Sequence, residues 1–237
     1  MINWKDLKEI KLFLNKELNN IFKIYGYEIE IKAEDLNLLK SRNSCLRSST
    51  AIGYILEEFI YQKFKNIFKN EKDVNIFRSS YSTQKSSYDF LITKKDYDLL
   101  INVKSDKGIG GGKNKAIAAI NQLYKDYSNQ MNFEKDFYYI VLKISYQLDQ
   151  VKNDFNDKQI VYFEKIKICG FNVFSLEEIS FANGHKQDNR NWSREFNPSS
   201  GRLLISDTFY KRNKIAENEK ISNNQTMLYI EEMISQK

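Results

Sequence analysis

The sequence predicts an α/β fold, a mixed central β-sheet flanked by helices. Three observations lead there. Apolar residues recur at helical spacing near the N-terminus, three short runs rich in strand-forming residues crowd between Val74 and Lys104, and helical and strand-like stretches then alternate towards the C-terminus. That order suits a sheet covered on both faces, because each element must bury an apolar side against another layer.

Taken in order, Asn3 to Ile24 carries Leu7, Ile10, Leu14, Leu18 and Ile21 on one stripe, which predicts a first helix. A second is expected from Ser49 or Thr50, either of which suits an N-cap, to about Lys69. Strands are expected at Val74 to Arg78, Tyr88 to Ile92 and Asp98 to Lys104, the last two joined by the turn-like Thr93-Lys94-Lys95-Asp96. After the glycine cluster Gly108 to Gly112, Lys113 to Tyr127 reads as a helix with Ile117, Ile120, Leu123 and Tyr124 on one side. Phe137 to Ser145 and Ile160 to Cys169 read as strands, and Ile205 to Ala216 and Gln225 to Ser235 as helices.

Composition narrows the class. A chain of 237 residues with 16 Phe and 15 Tyr has material for a full core, which excludes a disordered protein, and no linker divides it, so one domain over 1–237 is expected. Cys45 and Cys169 alone cannot build a disulfide framework, and the single histidine, His185, excludes a histidine-cluster metal site. The opening Met-Ile-Asn-Trp-Lys-Asp has no apolar signal core, and the apolar stretch near Phe137 to Leu142 is too short for a bilayer, so a cytoplasmic protein is expected. The net charge of +6 favours a polyanionic partner.

The chemistry concentrates in Ser87-Tyr88-Asp89-Phe90-Leu91-Ile92 and Leu99-Leu100-Ile101-Asn102-Val103-Lys104-Ser105. Side chains alternate along a strand, so Asn102 and Lys104 share one face while Ile101 and Val103 take the other. A hairpin with a loop of about four residues sets Asp89 opposite Asn102, with Cβ atoms about 5 Å apart. Carboxylate and amide oxygens there suit a hard cation such as magnesium, and Lys104 supplies positive charge beside a bound water, the parts that phosphodiester hydrolysis needs. On spacing alone the same residues also fit an ordinary solvated sheet face.

Asp89 and Asn102-Val103-Lys104 resemble the PD-(D/E)xK motif of the nuclease superfamily that includes type II restriction endonucleases. Two positions depart from it: Tyr88 stands for the usual proline, and Asn102 for the second acidic residue, which removes one negative charge. The family often adds an acidic residue from a preceding helix, and Gly53-Tyr54-Ile55-Leu56-Glu57 resembles that Gly-x-x-x-Glu pattern. At about 100° per residue, Ile52, Ile55, Leu56, Phe59 and Ile60 form the apolar face, Glu57 lies at its border, and Glu58 points away. The resemblance covers a catalytic core of about 49–145 and implies a restriction-endonuclease-like, EcoRV-like fold, with Glu57, Asp89 and Asn102 arranging Mg2+ (or Mn2+ in its place) and Lys104 assisting the water.

DNA contacts are expected outside that set. Lys107, Lys113 and Lys115 flank the glycine cluster, which is no Walker loop, since Lys107 replaces its first glycine and Asn114 its Ser or Thr. Gln84 and Lys85 precede Asp89 where EcoRV-type enzymes carry a glutamine-containing minor-groove loop. Lys186, Gln187, Asn189, Arg190, Asn191 and Arg194 have side chains suited to base edges, and Arg202 is a further phosphate candidate. The resemblance implies a sequence-specific double-stranded DNA endonuclease acting as a homodimer, its terminal helices offering the dimer contact and a separate DNA methyltransferase protecting the host. A repair or junction nuclease of the same fold, and a noncatalytic DNA-binding protein, remain as alternatives.

Overall fold

The computed structural model describes residues 3–30, 48–79, 86–107, 116–155, 158–178, 181–182, 186–187, 202–204 and 223–235. Helix α1 (Trp4–Tyr25) is the one its periodicity predicts, with Leu7, Ile10, Leu14, Leu18 and Ile21 all buried. Asn3 caps it by accepting hydrogen bonds from the N–H groups of Lys5 (3.1 Å) and Asp6 (3.4 Å), and Gly26 ends it at φ 84°, where a side chain would be strained. A short strand, β1 (Glu28–Glu30), precedes α2 (Ser48–Ile67), whose Ile52, Leu56, Ile60 and Phe64 are buried at one-turn intervals.

Next come β2 (Asn75–Arg78), β3 (Phe90–Thr93) and β4 (Tyr97–Lys107). The β3–β4 hairpin pairs Phe90 with Ile101 and Thr93 with Asp98, and Lys94 N–H closes it on Tyr97 O at 3.0 Å. Then follow β5 (Ala116–Ala119), α3 (Ile120–Met131), and two long strands, β6 (Asp136–Phe155) and β7 (Lys158–Ser175). The main sheet has the order β1-β7-β6-β4-β3-β2; the β4–β6 pair is parallel and its other pairs are antiparallel.

The sheet separates two apolar cores. On one face Leu99, Ile101, Val103, Ile140 and Leu142 pack with α1 and α2. On the other Leu100, Tyr139 and Val141 pack with Ile117, with Ile120, Leu123 and Tyr127 of α3, and with Met227 and Ile230 of the last helix, α4 (Asn223–Ser235). A mixed sheet flanked by helices is therefore what the chain builds.

Several expectations are corrected. Lys113 to Tyr127 is not one helix: Ala116–Ala119 is strand β5, and α3 begins at Ile120. The cause is a distant partner, β10 (Arg202–Leu204), which pairs Arg202 with Ala119 and Leu204 with Ala116 and so claims the backbone groups that a helix would use internally. Tyr124 is 37% exposed, and Tyr127 fills its place in the core. The strands expected at Phe137 to Ser145 and Ile160 to Cys169 form a much longer hairpin, bent by register shifts after Ser145 and after Asp149. The helix expected at Ile205 to Ala216 lies outside the described residues. Among those residues no helix is long and apolar enough to cross a membrane.

Phe64 is fully buried and its ring meets those of Phe68 and Phe90, 5.9 and 6.1 Å between centroids. Phe64→Ala is expected to lower unfolding free energy by about 3–5 kcal/mol. Phe77→Ala, at a position 54% exposed, should stay within about 0.5 kcal/mol of the parent chain in the same urea titration.

Candidate active site

Asp89 sits just before β3, and two hydrogen bonds to β4 locate it. Its own N–H donates to Ile101 O at 2.8 Å, and its Oδ2 accepts from Val103 N–H at 2.6 Å, so the residue brackets Asn102 as the hairpin register predicts. Burial raises the Asp89 carboxyl above the usual aspartate range, against the pull of Lys104, the Val103 N–H and Arg78.

Glu57 arrives from α2, on the opposite side of the hairpin strands from Asn102's core. A Cβ added at Gly53 would meet Ser105 Oγ at 3.4 Å, so α2 lies against β4 there, and Glu57 projects one turn further on. Its 9% exposure agrees with a residue at the border of the apolar face. Burial, and next the neighbouring charge of Asp89, lift its carboxyl from 4.5 to about 7, while Arg78 and Lys104 pull the other way. Two carboxylates from separate elements thus share one desolvated place beside two cations.

Asn102 is 2% exposed, and its surroundings specify an amide. Nδ2 donates to Ser87 O, to Tyr139 Oη at 2.8 Å and, at 3.4 Å, to Ile117 O. Two of these three acceptors are backbone carbonyls, which can only accept, so a carboxylate in this place would face oxygen with no proton to offer. Ser87 is fixed in turn: its N–H and its hydroxyl both donate to Asp126 Oδ2 on α3 at 2.7 Å, and Tyr139 Oη donates to Ser87 O.

Lys104 is partly buried next along the face that holds Asn102. In the parallel ladder its register partner is Lys143, which is 4% exposed and ion-paired to Asp106 at 2.9 Å. The polar face therefore extends from β4 onto β6.

Among the described residues no three carboxylate, imidazole or thiol side chains converge. Asn102 Oδ1 is buried without a hydrogen-bond partner, on the face of β4 turned away from α2 and Glu57. A buried acceptor left so costs about 1–3 kcal/mol. The two carboxylates, Glu57 and Asp89, are the oxygen donors that Mg2+ or Mn2+ would take here.

Of the remaining expectations, Lys107 ends β4, Lys186 and Gln187 form strand β9 against β8 (Phe181–Ala182), and Arg202 opens β10 against β5. Gln84, Lys85, Lys113, Lys115, Asn189, Arg190, Asn191 and Arg194 lie outside the described residues. Sequence reasoning missed Arg78, whose Nη1 is 3.4 Å from Glu57 Oε1, and Tyr139, which holds the Asn102 amide. Arg78 gave a signal, an arginine closing the strand just upstream of the motif; Tyr139 gave none, since it depends on strand register.

Glu57 and the fully buried Glu177, also lifted to about 7 by burial, bind protons more tightly folded than unfolded. Their stabilising contribution is full below 4.5 and is lost as pH rises through about 7. In cation-free buffer, stability is expected to fall between about pH 5 and pH 8, and Glu57→Gln to remove part of that slope, read from urea midpoints. Asn102→Asp should lower stability by at least about 1 kcal/mol near neutral pH, because it turns a donor into an acceptor opposite carbonyls; an unchanged melting temperature would refute the amide requirement.

No protein-family model matches the chain and no curated protein is similar to it.

Proposed function

We propose that the chain is a magnesium-dependent DNA endonuclease of the PD-(D/E)xK type, a type II restriction enzyme with a restriction-endonuclease-like fold that hydrolyses double-stranded DNA at a specific short sequence. The observation that carries this reading is the meeting of the buried Glu57 with the half-buried Asp89, whose charge raises the Glu57 carboxyl's proton affinity while Lys104 lowers it. A divalent cation bound between them would turn their repulsion into binding. The order of the parts, helix Glu, hairpin Asp, then Asn-x-Lys on the next strand, also matches the resemblance.

Glu57 and Asp89 would hold Mg2+, or Mn2+ in its place; when bound, the ion polarises a phosphate oxygen and makes water more acidic. Val103 N–H keeps the Asp89 carboxylate aimed through its 2.6 Å hydrogen bond. Lys104 holds positive charge beside both carboxylates, where it orients the attacking water and offsets charge developing on the phosphate. A homodimer would place one such centre on each strand of a palindromic site. A cytoplasmic location and a separate cognate methyltransferase complete the proposal.

One observation favours a second reading, a noncatalytic DNA-binding protein: the Asn102 amide nitrogen is fully engaged in the core, as a structural residue's would be. Digestion of a large sequenced DNA with Mg2+, followed by end sequencing, separates the possibilities. Ends at one fixed sequence support the restriction enzyme, scattered ends a repair or junction nuclease, and no cutting in Mg2+ or Mn2+ the noncatalytic protein. Asp89→Ala is expected to abolish cleavage while metal-free DNA binding survives or tightens, since a carboxylate near phosphate is repulsive. A variant cutting at near the parental rate would remove Asp89 from the site.

A further inference from the structure

We propose that Arg78 is the counter-ion of the cation-free site and becomes the clamp on the substrate phosphate once a divalent cation takes Glu57, with Glu58 and Tyr61 holding the guanidinium through the exchange. The inference rests on the nuclease reading and adds to it a residue outside the motif.

Arg78 ends β2, in register with Phe90, the residue after Asp89. Three groups support its guanidinium. Nη1 lies 3.4 Å from Glu57 Oε1, Nη2 hydrogen-bonds Glu58 Oε2, and Cζ stands 4.7 Å from the centre of the Tyr61 ring. Glu58 is braced in its turn, because Gln62 Nε2 donates to its Oε1 at 2.7 Å. Two supports of three therefore involve no cation ligand. The bond to Glu57 is longer than the roughly 2.7–2.9 Å usual between charged partners, so it is the one most easily given up.

Exposure points the same way. The Arg78 side chain is 39% exposed while that of Glu57 is 11% exposed, so the guanidinium stands between the carboxylate pair and solvent, where a phosphate would approach. A guanidinium offers five donors in a plane, and a fork held on one edge by Glu58 can still present donors to a phosphate. Arg78 and a divalent cation compete for one Glu57 carboxylate, since each neutralises the same charge. Glu58, which helical phase alone assigns to solvent, thereby acquires a positioning role.

The test uses two readouts on the full chain: Mn2+ affinity without DNA, from free Mn2+ by electron paramagnetic resonance, and single-turnover DNA cleavage at saturating Mn2+. Circular dichroism and thermal melts check folding of each variant. Arg78→Ala should bind Mn2+ up to about fivefold tighter, the scale of a partly exposed ion pair, yet cleave about a hundredfold more slowly. Glu58→Gln frees the guanidinium to settle on Glu57, so Mn2+ binding should weaken by up to about fivefold and cleavage should also slow. Arg78→Lys keeps the charge without the fork, so Mn2+ affinity should stay near the parental value while cleavage remains impaired.

A folded Arg78→Ala chain that binds Mn2+ no more tightly than the parent, or cleaves as fast, overturns the proposal and leaves the nuclease reading intact. A parent chain that binds Mn2+ but cuts no DNA overturns the nuclease reading and the clamp with it. The opposite signs of the two Arg78→Ala effects are what a merely structural arginine would not produce.

Discussion

The parallel pairing of β4 with β6 is the constraint on which the rest depends. It runs through eleven residue pairs, from Tyr97 with Asp136 to Lys107 with Tyr146, at the centre of the main sheet. Parallel neighbours cannot be joined by a tight turn, so the chain must cross over between them, and β5 and α3 lie on that crossover. Their side chains supply much of the second core, while α1 and α2 cover the first. The same ladder sets Lys104 beside Lys143, so the polar face is continuous across two strands.

The legible parts of the fold were those whose signals are local. Helix α1 could be read from five apolar residues, and the β3–β4 hairpin from two apolar runs and a polar turn, because both patterns report burial by nearby neighbours. Strand β5 was illegible for the converse reason: Ala116–Ala119 has composition compatible with a helix, and its state is decided by Arg202–Leu204, more than eighty positions away. The site divides likewise. Asp89 opposite Asn102 followed from hairpin geometry, whereas Glu57 was singled out by the Gly-x-x-x-Glu resemblance and helical phase only separated it from Glu58. The Asn102 amide cage followed from neither, since Tyr139 reaches it across a parallel register and Ser87 only through a bend.

The candidate site sets electrostatics against stability. Burying Glu57 and Asp89 near one another is unfavourable for the folded chain when both are charged, and Arg78 and Lys104 offset only part of it. Nearby, Lys143 and Asp106 show what an internally balanced pair looks like: opposite charges, 2.9 Å apart, both nearly buried. The contrast marks the Glu57–Asp89 pair as the place where the fold retains an imbalance, and the orphaned Asn102 Oδ1 adds an unsatisfied acceptor on the neighbouring strand.

Helix α4 has a consequence for the order of assembly. Met227 and Ile230 complete the apolar cluster that contains Leu100, Ile117 and Tyr139, so the face of β4 bearing Asn102 is closed by residues more than 120 positions downstream. Contacts of such long sequence separation form late, because the loop they close is large. During vectorial synthesis, α1, α2 and the β3–β4 hairpin emerge long before this lid of apolar side chains. The apolar cover of the second core is therefore completed last, after the elements that carry Glu57, Asp89 and Asn102 have all emerged.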